Sequence, residues 1–195
     1  MSDPLDWTLL SSEYLLRDSW MTARRDRCLT PAGVLVDPYY VLEYPDWVNA
    51  VAFTREGNIL MVRQYRHALG KVLLEIPGGC MDPGDTSPEA AMRRELLEET
   101  GHAFDDLKFL GSIAPNPSTS NNLTHMYIAT GGEKVSELKL DPNEELEVLQ
   151  MRPEEVMDAL RGHRILQSLH ASCLFYAFWS LGLLATAPWE LHPDS

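Results

Sequence analysis

Runs of strand-forming residues, separated by turn signals, predict that the first half of the chain is mostly strands. Residues 33–45, 47–54 and 58–66 are rich in valine, isoleucine and aromatic residues, which favour strands. The REGN segment between the last two runs is a hairpin signal, and KVLLEIPGG indicates a further strand that ends in a Pro-Gly-Gly turn. We therefore expect a small N-terminal β module over residues 1–45, followed by a larger domain over residues 46–195.

Helical signals follow this strand. Thr86 or Ser87 is suited to cap a helix, Pro88 to occupy its first turn and Gly101 to end it. Further along, LKFLGSI, THMYIAT and LEVLQM are predicted strands, whereas RPEEVMDALRGH and ILQSLHASCLFYAFWSLGLL are predicted helices. This order of elements predicts an α+β fold in which a mixed sheet lies between helices, an α/β/α sandwich.

Composition and charge narrow the function classes. The chain has 195 residues, 45% of them hydrophobic, and a formal net charge of −13. This charge argues against binding to nucleic acid or to an anionic membrane, which usually requires a basic surface. Anionic phosphates are still suitable ligands when divalent cations bridge them to the protein.

Three further features bear on the compartment. Cys28, Cys80 and Cys173 show no metal-type or paired spacing, which predicts reduced thiols in the cytoplasm. The N-terminus lacks the pattern of a signal peptide. The apolar stretch 171–189 is barely long enough to span a bilayer and has no basic flank, so we expect a buried or dimer-facing helix there.

Three glutamates in the middle of the chain are the first sign of chemistry. Glu95, Glu98 and Glu99 stand at i, i+3 and i+4 on one face of the predicted helix, where like charges repel by roughly 0.2–0.5 kcal/mol per pair. Such oxygen ligands on a rigid element suit Mg²⁺ or Mn²⁺. The alternative is a solvated acidic face beside the neighbouring arginines. The glycine-rich loop ahead of the helix, which lets backbone approach a metal or a phosphate, favours the metal site.

The segment PGGCMDPGDTSPEAAMRRELLEETG resembles the signature of the Nudix hydrolases, G-x5-E-x7-R-E-U-x-E-E-x-G-U, in which U is a bulky aliphatic residue. RELLEETG matches the second half without a gap. Gly79 and Asp85 match the first half, with aspartate in place of glutamate and one extra residue before the arginine. The last position is His102 rather than an aliphatic residue. The strand pattern extends the resemblance over most of residues 45–165.

The resemblance implies that Glu95, Glu98 and Glu99 bind divalent ions, Mg²⁺ or Mn²⁺, with the carbonyl of Gly78 as a further ligand. Arg94 would orient one of these glutamates through a charge-assisted hydrogen bond, and both Arg94 and Glu98 are predicted to be catalytic. Metals that bridge a diphosphate would neutralise its charge and lower the pKa of an attacking water. Catalysis would then consist of positioning and electrostatics.

A base for this water is expected in the segment LDPNEELEV. The ADP-ribose pyrophosphatase branch of the family uses a glutamate on the equivalent loop. Glu144 is the better match to this position and Glu145 is the alternative. A solvated acidic loop without a catalytic role is the other interpretation of the same residues.

Three features of the sequence resemble those of the Nudix subgroup that cleaves nucleoside diphosphate sugars. The N-terminal β module precedes the signature, and in that branch it is exchanged between subunits and builds a dimeric site. In VRQYRHA, Arg66 matches a phosphate-contacting arginine, and NEELEV falls at the expected distance. Where these enzymes often have a glutamate, this chain has Asn121 and Asn122, so Asn121 is expected to bind the sugar or terminal ribose.

The sequence therefore predicts a cytoplasmic, homodimeric, Mg²⁺-dependent Nudix pyrophosphatase. Its predicted substrate is ADP-ribose or a related nucleoside diphosphate sugar, cleaved to a nucleoside monophosphate and a sugar phosphate. The alternatives are a hydrolase of the GDP-mannose type and a non-catalytic Nudix-fold sensor of nucleotide sugars. Retention of all three helix glutamates favours catalysis. Neither nucleic acid nor a membrane is expected as a partner.

Overall fold

The computed structural model describes residues 3–18, 21–140 and 145–184. Its first element is a three-stranded antiparallel sheet in chain order, formed by β1 (Thr8–Arg17), β2 (Thr22–Leu29) and β3 (Leu35–Glu43). All ten residues of β1 are exposed. Much of this N-terminal sheet is therefore uncovered in the single chain, although its strands are rich in apolar residues.

Hydrogen bonds from β3 join the N-terminal sheet to the rest of the chain. The hydroxyl of Tyr39 donates to the carbonyl of Ser118 at 2.8 Å. The backbone N–H of Leu42 donates to the carbonyl of Thr119 at 2.7 Å. Both acceptors lie in the loop APNPSTSNN, so this loop connects the two sheets.

The second sheet has eight strands. Its central order is β11-β5-β4-β10-β8, while β6 pairs with β5, β7 with β4 and β9 with β10. The β4–β10 pair is parallel and the others are antiparallel, which confirms the predicted mixed sheet. The strands are β4 (Trp47–Thr54), β5 (Ile59–Arg66), β6 (Lys71–Glu75), β7 (Gly78–Cys80), β8 (His102–Ala103), β9 (Asp106–Ile113), β10 (Thr124–Lys134) and β11 (Leu146–Met151).

In the described ranges, α-helices cover both faces of this sheet. α1 (Pro88–Thr100) packs Met92 and Leu96 on one face. α2 (Pro153–Arg161) and α3 (Ser168–Ser180) pack on the other face, where Phe178 is completely buried. This arrangement confirms the predicted α/β/α sandwich. No helix in the described part of the chain has the length and apolarity needed to span a membrane.

One local prediction differs from the structure. The Gly78-Gly79 pair was expected in a turn, but it forms β7, which pairs with the first residues of β4. A side chain on Gly78 would overlap the backbone of Val48 and Asn49, so only glycine fits this close pairing. β7 ends at Cys80, and the loop that follows it leads to α1.

Candidate active site

α1 begins and ends where its sequence signals predict. Ser87 is the N-cap, and its hydroxyl accepts a hydrogen bond from the N–H of Ala90 at 3.1 Å. Pro88 occupies the first turn, and Gly101 ends the helix with a φ of 69°. This fixed frame sets the direction of the glutamates in the last two turns.

Those glutamates differ in exposure. The side chain of Glu98 is 38% exposed and that of Glu95 is 13% exposed, whereas Glu99 is buried at 4%. Glu99 accepts a hydrogen bond from the backbone N–H of Gly78 at 2.9 Å. The three carboxylates therefore run from the solvent edge of the helix inward to the glycine strand.

Arg94 gathers the carboxylates around it. Its Nη1 donates to Oε1 of Glu95 and to Oε2 of Glu98, both at 2.9 Å. Its Nε and Nη2 donate to the two oxygens of Asp85 at 3.2 and 3.0 Å, and Nη2 also donates to the carbonyl of Cys80 at 2.9 Å. One guanidinium thus joins the glycine strand, the loop and the helix.

The charges within this cluster influence one another. The hydrogen bonds from Arg94 hold the pKa of Asp85 below its usual value. The same pairing with Asp85 raises the pKa of Arg94, so the guanidinium stays protonated. Asp85, the acidic residue of the loop, therefore contacts Arg94 directly although the segment between them is one residue longer than in the signature.

Gly79 makes room for the first of the glutamates. A side chain at this position would overlap the carboxylate of Glu95. The atoms that it would meet are the far end of the Glu95 side chain, so Glu95 would have to move from its present position to admit a larger residue. The glycine pair is thus fitted to the helix: Gly78 binds Glu99 through its N–H, and Gly79 leaves space for Glu95.

The donor set fits a divalent cation. In the described part of the chain, no three carboxylate, histidine or cysteine side chains already form a metal cage. Glu95 and Glu98 instead hold a cationic nitrogen of Arg94 between them, an environment that also suits a metal ion. Hard carboxylate oxygens on one rigid helix are the ligands that Mg²⁺ and Mn²⁺ prefer.

Arg66, the last residue of β5, forms an ion pair with Glu75, which the sequence did not indicate as a site residue. Its Nε lies 3.1 and 3.2 Å from the two oxygens of Glu75, and its Nη2 donates to Oε2 at 2.6 Å. Glu75 is completely buried, while Arg66 is 39% exposed. In sequence, Glu75 is only a polar residue at the end of an apolar strand, so nothing there indicated a site.

The structure also describes Asn121 and Glu145, two further predicted residues. Asn121 is exposed, whereas Asn122 is buried and donates to the carbonyl of Pro45 at 3.1 Å. Glu145 is exposed and directly precedes β11. Glu144 lies outside the described residues, so its role stays a prediction.

A glycine strand that leads through an acidic loop to an RELLEE helix, on a mixed sheet between helices, defines a Nudix fold. The chain belongs to the NUDIX family, since the NUDIX domain matches residues 44–170. The nucleoside diphosphate sugar hydrolase N-terminal domain matches residues 7–42. The resemblance that the sequence indicated is therefore confirmed, and hydrolases of this family work with divalent metal ions.

Several known proteins are similar to this chain. The ADP-ribose pyrophosphatase of Mycobacterium tuberculosis is 35% identical over 67% of this chain and 62% of its own length. The methanol dehydrogenase activator of Bacillus methanolicus is 33% identical over 66% of this chain and 69% of its own length. The chain thus spans about two thirds of these two relatives.

Two similarities extend over nearly the whole chain. The ADP-sugar pyrophosphatase of Mus musculus is 30% identical over 91% of this chain and 88% of its own length. A crystal structure of an ADP compounds hydrolase superposes with a TM-score of 0.80 at 25% identity, covering 93% of this chain and 98% of that one. Both matches include the N-terminal sheet as well as the NUDIX domain.

Proposed function

We propose that the protein hydrolyses the pyrophosphate bond of ADP-ribose, or of a related nucleoside diphosphate sugar, with Mg²⁺ as its cofactor. The products are a nucleoside monophosphate and a sugar phosphate. The observation that carries the proposal is the convergence of Glu95 and Glu98 on one nitrogen of Arg94, beside the glycine strand that binds Glu99. A divalent ion held by these glutamates and the Gly78 carbonyl would neutralise the diphosphate and make a nearby water more acidic.

Arg66 is the proposed contact to the substrate phosphates. Its Nε and Nη2 are bound to Glu75, whereas its Nη1 has no hydrogen-bond partner in the part of the chain that the structure describes. A guanidinium presents its donors in a planar fork, so fixing one edge directs the other. The free edge of Arg66 can then donate to a phosphate oxygen in a charge-assisted hydrogen bond.

The described residues on either side of the acidic loop support Glu144 as the general base, with Glu145 as the alternative. The N–H of Lys139 donates to the backbone carbonyl of Glu98 at 2.9 Å. Leu146, the first residue of β11, pairs with Gln64 on the strand that carries Arg66. Lys139, before this segment, thus lies at the glutamate helix, and Leu146, after it, lies beside the strand that carries the proposed phosphate contact.

The loop with Asn121 is the proposed contact to the sugar. This loop accepts hydrogen bonds from Tyr39 and Leu42 of the N-terminal sheet, so it lies where the two sheets meet. The name of the mouse relative, an ADP-sugar pyrophosphatase, favours adenine nucleotides among the substrates. Amides in place of the usual glutamate suit the hydroxyl groups of a sugar or terminal ribose.

We also propose that the protein is a homodimer in which the N-terminal sheet packs on a second copy. β1 is exposed along its whole length and carries Leu9, Leu10, Tyr14, Leu15 and Leu16 with exposed fractions of 42–56%. A strand with this many exposed large apolar side chains is a candidate interaction surface. Light scattering at micromolar concentration should give twice the chain mass, and a monomer would contradict this part of the proposal.

A substrate panel tests the function. ADP-ribose, ADP-glucose, GDP-mannose, coenzyme A and ATP are incubated with Mg²⁺, and the products are identified in ¹⁸O-labelled water. We expect the highest kcat/KM for ADP-ribose, and the position of the label reports which phosphorus is attacked. A preference for GDP-mannose would support the second substrate class. Tight binding of a nucleotide sugar without turnover would contradict hydrolysis and identify a sensor.

A further inference from the structure

The junction between β6 and β7, residues 75–78, contacts four other elements of the NUDIX domain. Glu75 binds Arg66 on β5, and the carbonyl of Pro77 accepts from the N–H of Ala50 on β4 at 3.1 Å. The other two contacts join the junction to α3 and α1, through Ile76 and Gly78 respectively. This junction, which we call the β6–β7 junction, therefore lies between the proposed phosphate-binding arginine and the glutamate helix.

The contact to α3 is made by His170. Its Nδ1 accepts a hydrogen bond from the backbone N–H of Ile76 at 3.2 Å. The ring is buried at 5% exposure, and burial, with the charge of Arg66 as a second cause, lowers its pKa to about 3. His170 is therefore neutral at physiological pH, so its Nδ1 can accept this hydrogen bond while the proton resides on Nε2.

Glu75 is fixed by several hydrogen bonds. Its carboxylate is completely buried and accepts from both Nε and Nη2 of Arg66, with a further hydrogen bond from Nε2 of Gln64 at 3.2 Å. A buried carboxylate that is paired in this way keeps one geometry, because every alternative leaves a charge without a partner. Three residues further along, the N–H of Gly78 holds Glu99 at 2.9 Å.

We propose that Glu75 and His170 are positioning residues that fix Arg66 and Glu99 relative to each other through the β6–β7 junction. Glu75 holds the guanidinium with its Nη1 edge directed outward, and His170 prevents the backbone between Glu75 and Gly78 from shifting. Catalysis by positioning depends on such fixed geometry, since a displacement of 1 Å is enough to reduce the rate strongly. This inference rests on the proposed function, in which Arg66 contacts the diphosphate.

The test measures binding of α,β-methylene ADP-ribose, which cannot be hydrolysed at its bridge, by calorimetry with Mg²⁺ and the full chain. Glu75→Gln places an amide N–H against the donors of Arg66, so the guanidinium loses its fixed orientation. We expect Kd to rise about tenfold, with a similar rise in KM for ADP-ribose and a smaller change in kcat. Glu147→Gln, on the exposed pair with Arg63, is the matched control and should leave both values unchanged.

A double-mutant cycle separates positioning from a general loss of structure. If Glu75 acts through Arg66, adding Glu75→Gln to an Arg66→Ala background causes no further rise in Kd. A rise of the same size in both backgrounds would overturn the inference. Thermal melts accompany each variant, and Glu75→Asp, which retains the charge, is expected to restore part of the affinity if the pairing with Arg66 is what matters.

His170 has its own pair of variants. His170→Asn retains an acceptor near the position of Nδ1, whereas His170→Phe fills the space without one, so only the phenylalanine variant should weaken binding of both the analogue and Mn²⁺. Equal binding by wild-type protein and all Glu75 and His170 variants would overturn the inference and leave the proposed function intact. A wild-type protein that neither binds the analogue nor hydrolyses ADP-ribose or any other nucleoside diphosphate sugar of the panel would instead refute the proposed function.

Discussion

Two arginines organise the candidate active site, and they do so in opposite electrostatic settings. Arg94 lies among Asp85, Glu95 and Glu98, with Asp82 at 3.6 Å, so one cation faces an excess of carboxylates. Arg66 faces a single buried carboxylate, Glu75, and the pair is neutral. The first setting attracts a further cation, whereas the second leaves part of a guanidinium available for an anion.

The difference between the two arginine sites explains how an acidic protein could bind the diphosphate group of a nucleotide sugar. The net charge of −13 repels a free diphosphate. In the proposed function, divalent ions at the Arg94 cluster would reverse the local sign, and Arg66 would add hydrogen-bond donors to the phosphates. Metal binding and substrate orientation would then belong to different elements of the fold, α1 and the β5–β6 pair.

The largest expected effect comes from removing a carboxylate among the proposed metal ligands on α1. Glu98→Gln and Glu99→Gln should each lower kcat on the order of 10²–10³-fold while the fold is retained, because each removes a charge that holds the metal. Steady-state kinetics at saturating Mg²⁺ measures this loss. Glu89→Gln is the matched control, since Glu89 lies on the same helix but pairs with Arg93 at the surface. Near wild-type activity in either variant would contradict the metal assignment at that residue.

The second-largest expected effect concerns Glu144, the proposed general base, which is not part of either arginine site. Glu144→Gln should lower kcat about 10²-fold and change KM little, as expected for a group that acts in the transition state. The measurement is a pH–rate profile of kcat/KM, in which the acidic limb should disappear. If the rate of Glu144→Gln is normal and that of Glu145→Gln is reduced, the role belongs to Glu145.

The third prediction breaks the neutral pair. Arg66→Ala leaves the buried Glu75 without its partner, and we expect a loss of about 2–4 kcal/mol in the free energy of unfolding, measured with urea. Arg63→Ala is the control on the same strand, because its pair with Glu147 is exposed and such pairs contribute about 0–1 kcal/mol. Equal losses in the two variants would show that burial of Glu75 does not distinguish the two arginines.

The two arginine sites also differ in how far the sequence predicts them. The Arg94 cluster is almost entirely local: Ser87 and Gly101 mark the ends of α1, and the spacing of the glutamates places them on one face. The part that the sequence missed is non-local. Glu75 reaches Arg66 only because β5 and β6 are paired in a register that places Val62 opposite Glu75. Arg66 lies four residues after Val62, so the side chains of Arg66 and Glu75 are on the same face of the sheet.

The same distinction applies to the rest of the fold. The long apolar runs predicted β4, β5 and α3 because their burial follows from composition. The strand formed by Gly78 and Gly79 was predicted as a turn, because its pairing depends on the close approach of Val48 and not on a preference of glycine. Bonds between distant segments, such as the one from Ile76 to His170, likewise have no local signal.

The smallest expected effect is a pH dependence of stability that comes from His170. Burial lowers the pKa of His170 in the folded protein to about 3, from an ordinary value of 6.5. As the pH falls below 6.5, the unfolded chain takes up a proton on His170 that the folded protein does not take up. The free energy of unfolding therefore decreases by up to about 1.4 kcal/mol per pH unit. Above pH 6.5 the contribution of His170 to this free energy is constant. Urea unfolding at pH 7 and pH 5 should show a loss of about 2 kcal/mol that His170→Asn lacks. Because other groups titrate in both proteins, only the difference between them reports His170, and equal slopes would mean that the ring takes up its proton in the folded protein.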